Sequence, residues 1–205
     1  VVLTATDGDL DTDVESVDLG NKLAFGDDVP EITEDVSGAP VLTTTDADTA
    51  EGNGDASATG DTDTDDFGST VFTVSFGADG AKLVAGEGEG AEPVADGQSY
   101  KFNIVDGTAT GLVAMGTDTA ITLEYDDVTD PTLVNAVDAD GNVIFTMSID
   151  DKTGVVTLTQ LGAIKHDAPS NAYTTDTTKL LAPGAISVVL TATDGDLDTD
   201  VESVD

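Results

Sequence analysis

Apolar and polar residues alternate in short runs along this chain, the two-residue period of strands that bury one face. Such runs occur at Val1–Thr6, Ser69–Gly77, Tyr100–Val105, Ala120–Tyr125, Thr132–Val137, Val143–Ile149, Val155–Leu161 and Ile186–Thr193. In Ser69–Gly77 the large residues Phe72, Val74 and Phe76 share one face. Val143–Ile149 and Val155–Leu161 are joined by Asp150-Asp151-Lys152-Thr153-Gly154, a short polar connection ending in glycine, which predicts a β-hairpin. Shorter strands are expected at Pro40–Thr45, Lys82–Val84 and Ala163–His166. No segment longer than about ten residues carries helical periodicity with caps. Roughly eight to ten strands separated by turn signals predict an all-β fold, an antiparallel Ig- or cadherin-like β-sandwich. Its expected core draws on Phe72, Val74, Phe76, Phe102, Ile104, Ile121, Leu123, Val143, Phe145, Met147, Ile149, Val156, Leu158 and Leu161.

The opening stretch Val1–Asp18 returns residue for residue at Val188–Asp205, which marks the chain as one period of a tandem array with an overlap into its neighbour. Each copy reads as a hairpin with an acidic turn, and in the first copy Val14–Phe25 is expected to continue the extended pattern. Phe25-Gly26-Asp27-Asp28-Val29-Pro30-Glu31-Ile32 then forms a stiff junction, because proline lacks an amide donor and biases the preceding residue toward extended backbone. This places a boundary near Pro30. Residues 1–29 are the closing hairpin of a preceding repeat plus the junction, and residues 30–205 are the main sandwich. In this phase the second copy stops before its counterpart of Leu19–Phe25, so the main sandwich is expected to lack part of its last strand. The resulting open edge suits a neighbouring molecule's N-terminal copy, and neighbouring repeats are the expected partners. Glu34–Asp66 beyond its first strand, Ala78–Gly97 and Pro169–Asp176 read as loops, and Lys179–Leu181 as an irregular turn.

Charge changes the picture most. Of 205 residues 42 are acidic and six are Lys or Arg, for a net charge of −36. Self-repulsion on that scale opposes compaction unless cations bind or salt screens it, and both conditions point outside the cytosol. Nucleic acid is excluded, since no basic patch exists to neutralise phosphates. Cysteine is absent, so a secreted domain of this composition needs a staple other than a disulfide. No apolar run approaches the ~18 residues of a membrane span.

The strongest chemical signal is Asp7, Asp9, Asp11 and Asp13 with their copies Asp194, Asp196, Asp198 and Asp200. Calcium takes six to eight oxygen ligands at flexible distances. A tight turn of closely spaced Asp, with glycine to let the backbone bend, supplies carboxylates and carbonyls together. The spacing is not that of an EF-hand, which needs a glycine at position six and a glutamate at twelve. Asp27 and Asp28 form a second candidate, able to share a cation with an adjoining edge through Glu34 or Asp35. Asp46, Asp48 and the run Asp61–Asp66 are weaker candidates, read as a solvated loop. Catalysis finds little support: His166, next to Asp167, is the sole histidine, and no thiol is present.

Four segments together carry a family resemblance. VFTVSFGADGA at Val71–Ala81, VIFTMSIDDKTGVVTLTQL at Val143–Leu161 followed by His166-Asp167, the strand and turn LTATDGDLDTD, and the junction FGDDVPEI resemble the repeat domain of giant repeats-in-toxin adhesins exported by type I secretion. The resemblance covers nearly the whole chain. It implies extracellular, calcium-stabilised β-sandwich modules strung in rows that hold a ligand-binding region away from a bacterial surface, for attachment or biofilm formation. The glycine-rich calcium nonapeptides of that superfamily are absent, so no β-roll is expected. A sandwich that itself grips a glycan or peptide is the alternative reading.

Overall fold

A computed structural model describes residues 1–46, 49, 60–87, 91–166 and 179–205. Asp48, Asp167 and the expected loop Pro169–Asp176 lie outside the described residues. The fold is all-β and antiparallel. Its larger sheet has the order β4-β13-β12-β11-β10-β9, formed by β4 (Asp61–Asp66), β9 (Thr108–Val113), β10 (Ala120–Asp127), β11 (Asp130–Val137), β12 (Val143–Ile149) and β13 (Val155–Gln160). A three-stranded sheet, β15-β14-β8, comprises β8 (Gln98–Asn103), β14 (Ser187–Thr193) and β15 (Thr199–Val204). β8 packs against β11 and β12, which sets the two sheets face to face. Ile121, Leu123, Val134 and Leu190 are fully buried between them, joined by Phe102, Phe145 and Met147.

The expected sandwich is therefore present, and most of the expected core lies inside it. Two positions differ. Ala136 pairs with Phe145 and Val137 with Val143, so Ile144 is an extra residue in a bulge. Strict alternation breaks there: Ile144 and Phe145 are both buried while Val143 turns outward. Leu161, just past the end of β13, is also exposed.

The expected hairpin forms, with Asp150 Oδ1 accepting the amides of Lys152 at 3.0 Å and Thr153 at 2.8 Å.

Several segments differ from expectation. Pro40–Thr45 is not a strand. The short strand β3 (Glu31–Glu34), which overlaps the last two residues of the expected junction, pairs with β5 (Phe72–Ser75), and the residues before β5 form a one-turn helix, α1 (Phe67–Val71). Asp66 caps α1 by accepting the Ser69 amide at 2.9 Å. The run Asp61–Asp66 is strand β4 at a sheet edge rather than a solvated loop. Two of its carboxylates hold the adjacent chain, Asp63 accepting from Thr43 N at 2.7 Å and Asp61 from Thr45 N at 2.8 Å. An acidic edge of this kind discourages pairing with another sheet. Ala163–His166 contributes only a bridge between Ile164 and Ala114. Leu83–Val84 does form a short strand, β6, against β7 (Val94–Ala95).

The duplicated hairpins share one internal structure and differ in surroundings. β1 (Val2–Thr6) pairs with β2 (Thr12–Ser16) and joins no other sheet among the described residues. β2 ends at Ser16, short of the expected Phe25, and Gly20–Lys22 is a turn of 3-10 helix. Residues 1–29 are exposed throughout, and burial begins at Pro30. β14, by contrast, is the centre of its sheet and pairs along its length with both β8 and β15. Asp200 Oδ2 accepts the Ile32 amide at 2.7 Å, so a side chain rather than a ladder of backbone bonds ties β3 to β15. Among the described residues no helix is long and apolar enough to cross a membrane.

Candidate metal centre

The turn between β14 and β15 is built by Asp194. Its Oδ1 accepts the Asp198 amide at 2.8 Å, its own amide donates to Asp198 O at 3.1 Å, and Leu197 N donates to Asp194 O at 3.3 Å. Leu197 is forced to φ 83°, a left-handed conformation that costs a non-glycine residue about 1 kcal/mol. The first copy repeats this: Asp7 Oδ1 accepts from Asp11 N at 3.1 Å and Asp9 N at 3.3 Å, and Leu10 has φ 78°.

Contact with the rest of the sandwich separates the copies. Lys82 N donates to Thr193 O at 3.0 Å and Thr193 N to Gly97 O at 2.7 Å, seating the second turn against the segment after β5. Gly195 makes the approach possible, since a Cβ there would stand 2.6 Å from the Asp79 carbonyl oxygen. Asp28 Oδ2 accepts the Ala78 amide at 2.6 Å, and a Cβ on Gly77, at φ +66°, would overlap that carboxylate.

Three overlapping triads of carboxylates result: Asp27, Asp196 and Asp198; Asp27, Asp28 and Asp79; Asp79, Asp194 and Asp196. Within each triad one oxygen per residue lies within 4.8 Å of the others. Two ligands on opposite sides of one calcium ion stand about 4.8 Å apart, so each triad fits a single coordination shell. Asp194 is fully buried, and its Oδ2 has no hydrogen-bond partner. A buried carboxylate oxygen left unpaired is costly, and a proton, an ordered water or a cation would each remove that cost. Lys82, Lys152 and Lys165 pair elsewhere, with Asp96, Asp151 and Asp118. Although Asp79 is exposed, partial desolvation by the packed turn, followed by the charges of Asp196, Asp28, Asp27 and Asp194, pushes its carboxyl above the usual carboxylate range.

The cluster unites two groups that the sequence presents separately, Asp27–Asp28 and Asp194, Asp196 and Asp198. Glu34 and Asp35 are not part of it, and Asp35 instead caps the 3-10 turn at Val36–Gly38 through the Ser37 amide. Asp200 also stands apart, its oxygens accepting from Ile32 N and Val201 N. Asp79 was not singled out by the sequence. Its signal is a short Gly-Ala-Asp-Gly turn directly after a strand, with Gly77 and Gly80 both at positive φ.

In the first copy Asp7, Asp9 and Asp11 form an exposed triad, while Asp13 Oδ1 accepts the Val14 amide. A side-chain hydrogen bond with Asp9, supported by the amides of Asp11, Asp9 and Leu10, holds Asp7 below the usual carboxylate range. Asp46 has protein partners, accepting from Ile164 N at 3.1 Å and from Gln160, with His166 Nε2 at 3.1 Å.

Fold and site together describe a β-sandwich whose entering segment and final hairpin meet in a six-carboxylate cluster. A family model described as a domain of unknown function (DUF5801) matches residues 41–205, and the chain belongs to that family. The matched span contains the second copy of the duplicated stretch and not the first. No curated protein and no solved structure matches the chain.

Proposed function

We propose that this chain is a calcium-stabilised extracellular spacer module of a large bacterial cell-surface adhesin, one of a row of repeats that projects a ligand-binding region for adhesion or biofilm formation. The observation that carries the calcium reading is the buried, unpartnered Asp194 Oδ2 within a cluster that also holds Asp27, Asp28, Asp79, Asp196 and Asp198. Asp27 and Asp28 belong to the segment entering the sandwich, and the other residues belong to the sandwich itself. A calcium ion bridging them fixes the direction in which one repeat leaves the last. Without the ion, repulsion among the carboxylates loosens the same joint, so the cation sets the stiffness of the row.

Affinity follows from the setting. Extracellular calcium modules bind at about 10⁻⁴ to 10⁻³ M. Such a site fills in seawater or host fluid and stays vacant in the cytosol, which keeps the chain loose for export and folds it outside. The spacer role rests on exact duplication, since a ligand-gripping tip has no need to be copied while a spacer does. Calorimetric titration of calcium into chelator-treated protein tests the reading. Saturable binding in that range, weakened by Asp194→Asn, is expected; absence of binding at about 10 mM calcium contradicts it.

A further inference from the structure

A groove of about 810 Å³ opens between the two sheets, floored by Phe102, Leu112 and Met147 and bordered by Val204 and Asp205 at the end of β15. Its rim carries Val41 and Leu180, which are 69% and 72% exposed. Protein interiors tolerate few voids larger than a water molecule, and a groove of this size and apolarity is of the kind that takes up a ligand or a chain segment.

We propose that this groove receives the Leu19–Phe25 segment of a second copy of this chain. The occupant is identified by the repeat itself. The duplicated stretch ends at Asp18 in one copy and at Asp205 in the other, and Asp18 is followed by Leu19-Gly20-Asn21-Lys22-Leu23-Ala24-Phe25. On the tandem reading, an equivalent of this segment would follow β15, whose end lies at the border of the groove. The segment is apolar where it should be solvated: Leu23 is 63% exposed and Phe25 93%, the most exposed large hydrophobic residue described.

Geometry makes the contact intermolecular in the isolated chain. Asp27 sits with Asp196 and Asp198 at the β14–β15 turn, whereas the groove borders Val204 at the other end of that hairpin. Six strand residues span about 20 Å. Phe25, two residues before Asp27, reaches at most about 7 Å from it. Phe25 therefore cannot reach the Val204 end of its own groove, and the whole segment is exposed rather than seated there, so the contact is with another copy, in a heterologous, head-to-tail arrangement. In a covalent row the same contact joins neighbours, so the linker is held by an apolar seat in one repeat and by the carboxylate cluster of the next.

The proposal shares the tandem reading with the proposed function but does not depend on its cation. The test is a methyl NMR titration of the full chain carrying Phe25→Asp, which prevents self-association at a residue too exposed to matter for folding. The probe is a synthetic peptide of residues 18–26, added in calcium and again in chelator. Saturable shifts at Leu42, Leu112, Met147 and Leu181 are expected in both buffers. They should weaken by at least about tenfold with a peptide carrying Leu23→Asp and Phe25→Asp, or with Leu180→Asp on the rim. No shifts at about 1 mM peptide, shifts that map elsewhere, or binding indifferent to these substitutions would overturn it. Such a result leaves the calcium titration of the proposed function unaffected.

Discussion

Asp194 and Asp7 occupy the same place in the same turn, and only Asp194 is buried. The turn's hydrogen bonds are common to both, so the difference comes from what each turn meets: Asp27, Asp28 and Asp79 surround the second and not the first. Asp194→Asn should therefore abolish most of the stabilisation that calcium gives the sandwich. Asp7→Asn should leave sandwich melting unchanged. Paired melting curves at fixed calcium read the contrast, and equal losses from both variants would contradict the assignment.

Asp79 predicts a pH dependence of opposite sign to that of Asp138 and Asp150. Its carboxyl, though exposed, is raised by partial desolvation and then by neighbouring charges. A group with a raised folded pKa contributes stability below its unfolded value and loses it as pH rises through the folded value. In chelator, acidification from neutral pH toward the usual carboxylate range should thus raise the melting temperature by this term. Asp79→Asn removes that rise, melts at or above wild type in chelator, and gains less from calcium. Asp138 and Asp150 act the other way. Hydrogen bonds from Asn142 to Asp138, and from the Thr153 and Lys152 amides to Asp150, hold both carboxyls low. Their contribution is present above the unfolded pKa and is lost as pH falls through the lowered folded values, so unfolding in stronger acid should be unaffected by Asp79→Asn.

Gly77 is demanded by the site rather than by the strand before it. Alanine there meets both a positive φ and the Asp28 carboxylate. Gly77→Ala should destabilise the fold by about 1–3 kcal/mol and weaken calcium binding, because Asp28 must withdraw. Denaturant titration and calorimetry on the same variant check the two effects together.

Asp200 separates a structural aspartate from the proposed ligands. Replacing it with alanine releases the Ile32 amide and should cost about 1 kcal/mol. Calcium affinity should stay within about twofold of wild type, a change of under 0.5 kcal/mol. A large affinity loss would place Asp200 among the ligands.

The strands that form the sandwich interior were legible because each buries one face: β8 and β10 to β14 all follow alternating runs. β3 and β4 were not. β3 buries only Ile32, and β4 consists of Asp and Thr, so neither carries an apolar stripe; both exist because a neighbouring strand recruits them. Gly111 at φ +79° interrupts the pattern of β9 and hid it as well. Within the site, the aspartates of the two turns and the junction stand out by spacing. Their gathering does not, since it depends on Gly77 and Gly195 letting backbone segments distant in sequence approach closely. Asp79 enters the cluster by that approach, and the only trace of it in the sequence is the Gly-Ala-Asp-Gly turn in which it stands.

The most direct test of the account is thermal unfolding of the chain in chelator and in calcium. For a site of about 10⁻⁴ M, calcium at about a hundredfold excess over the dissociation constant stabilises the folded state by about 2.7 kcal/mol. In a chain of this length that is a rise of about 5–10 °C. The account predicts such a rise in the wild type and its near loss in Asp194→Asn. An unchanged midpoint between chelator and calcium would contradict it.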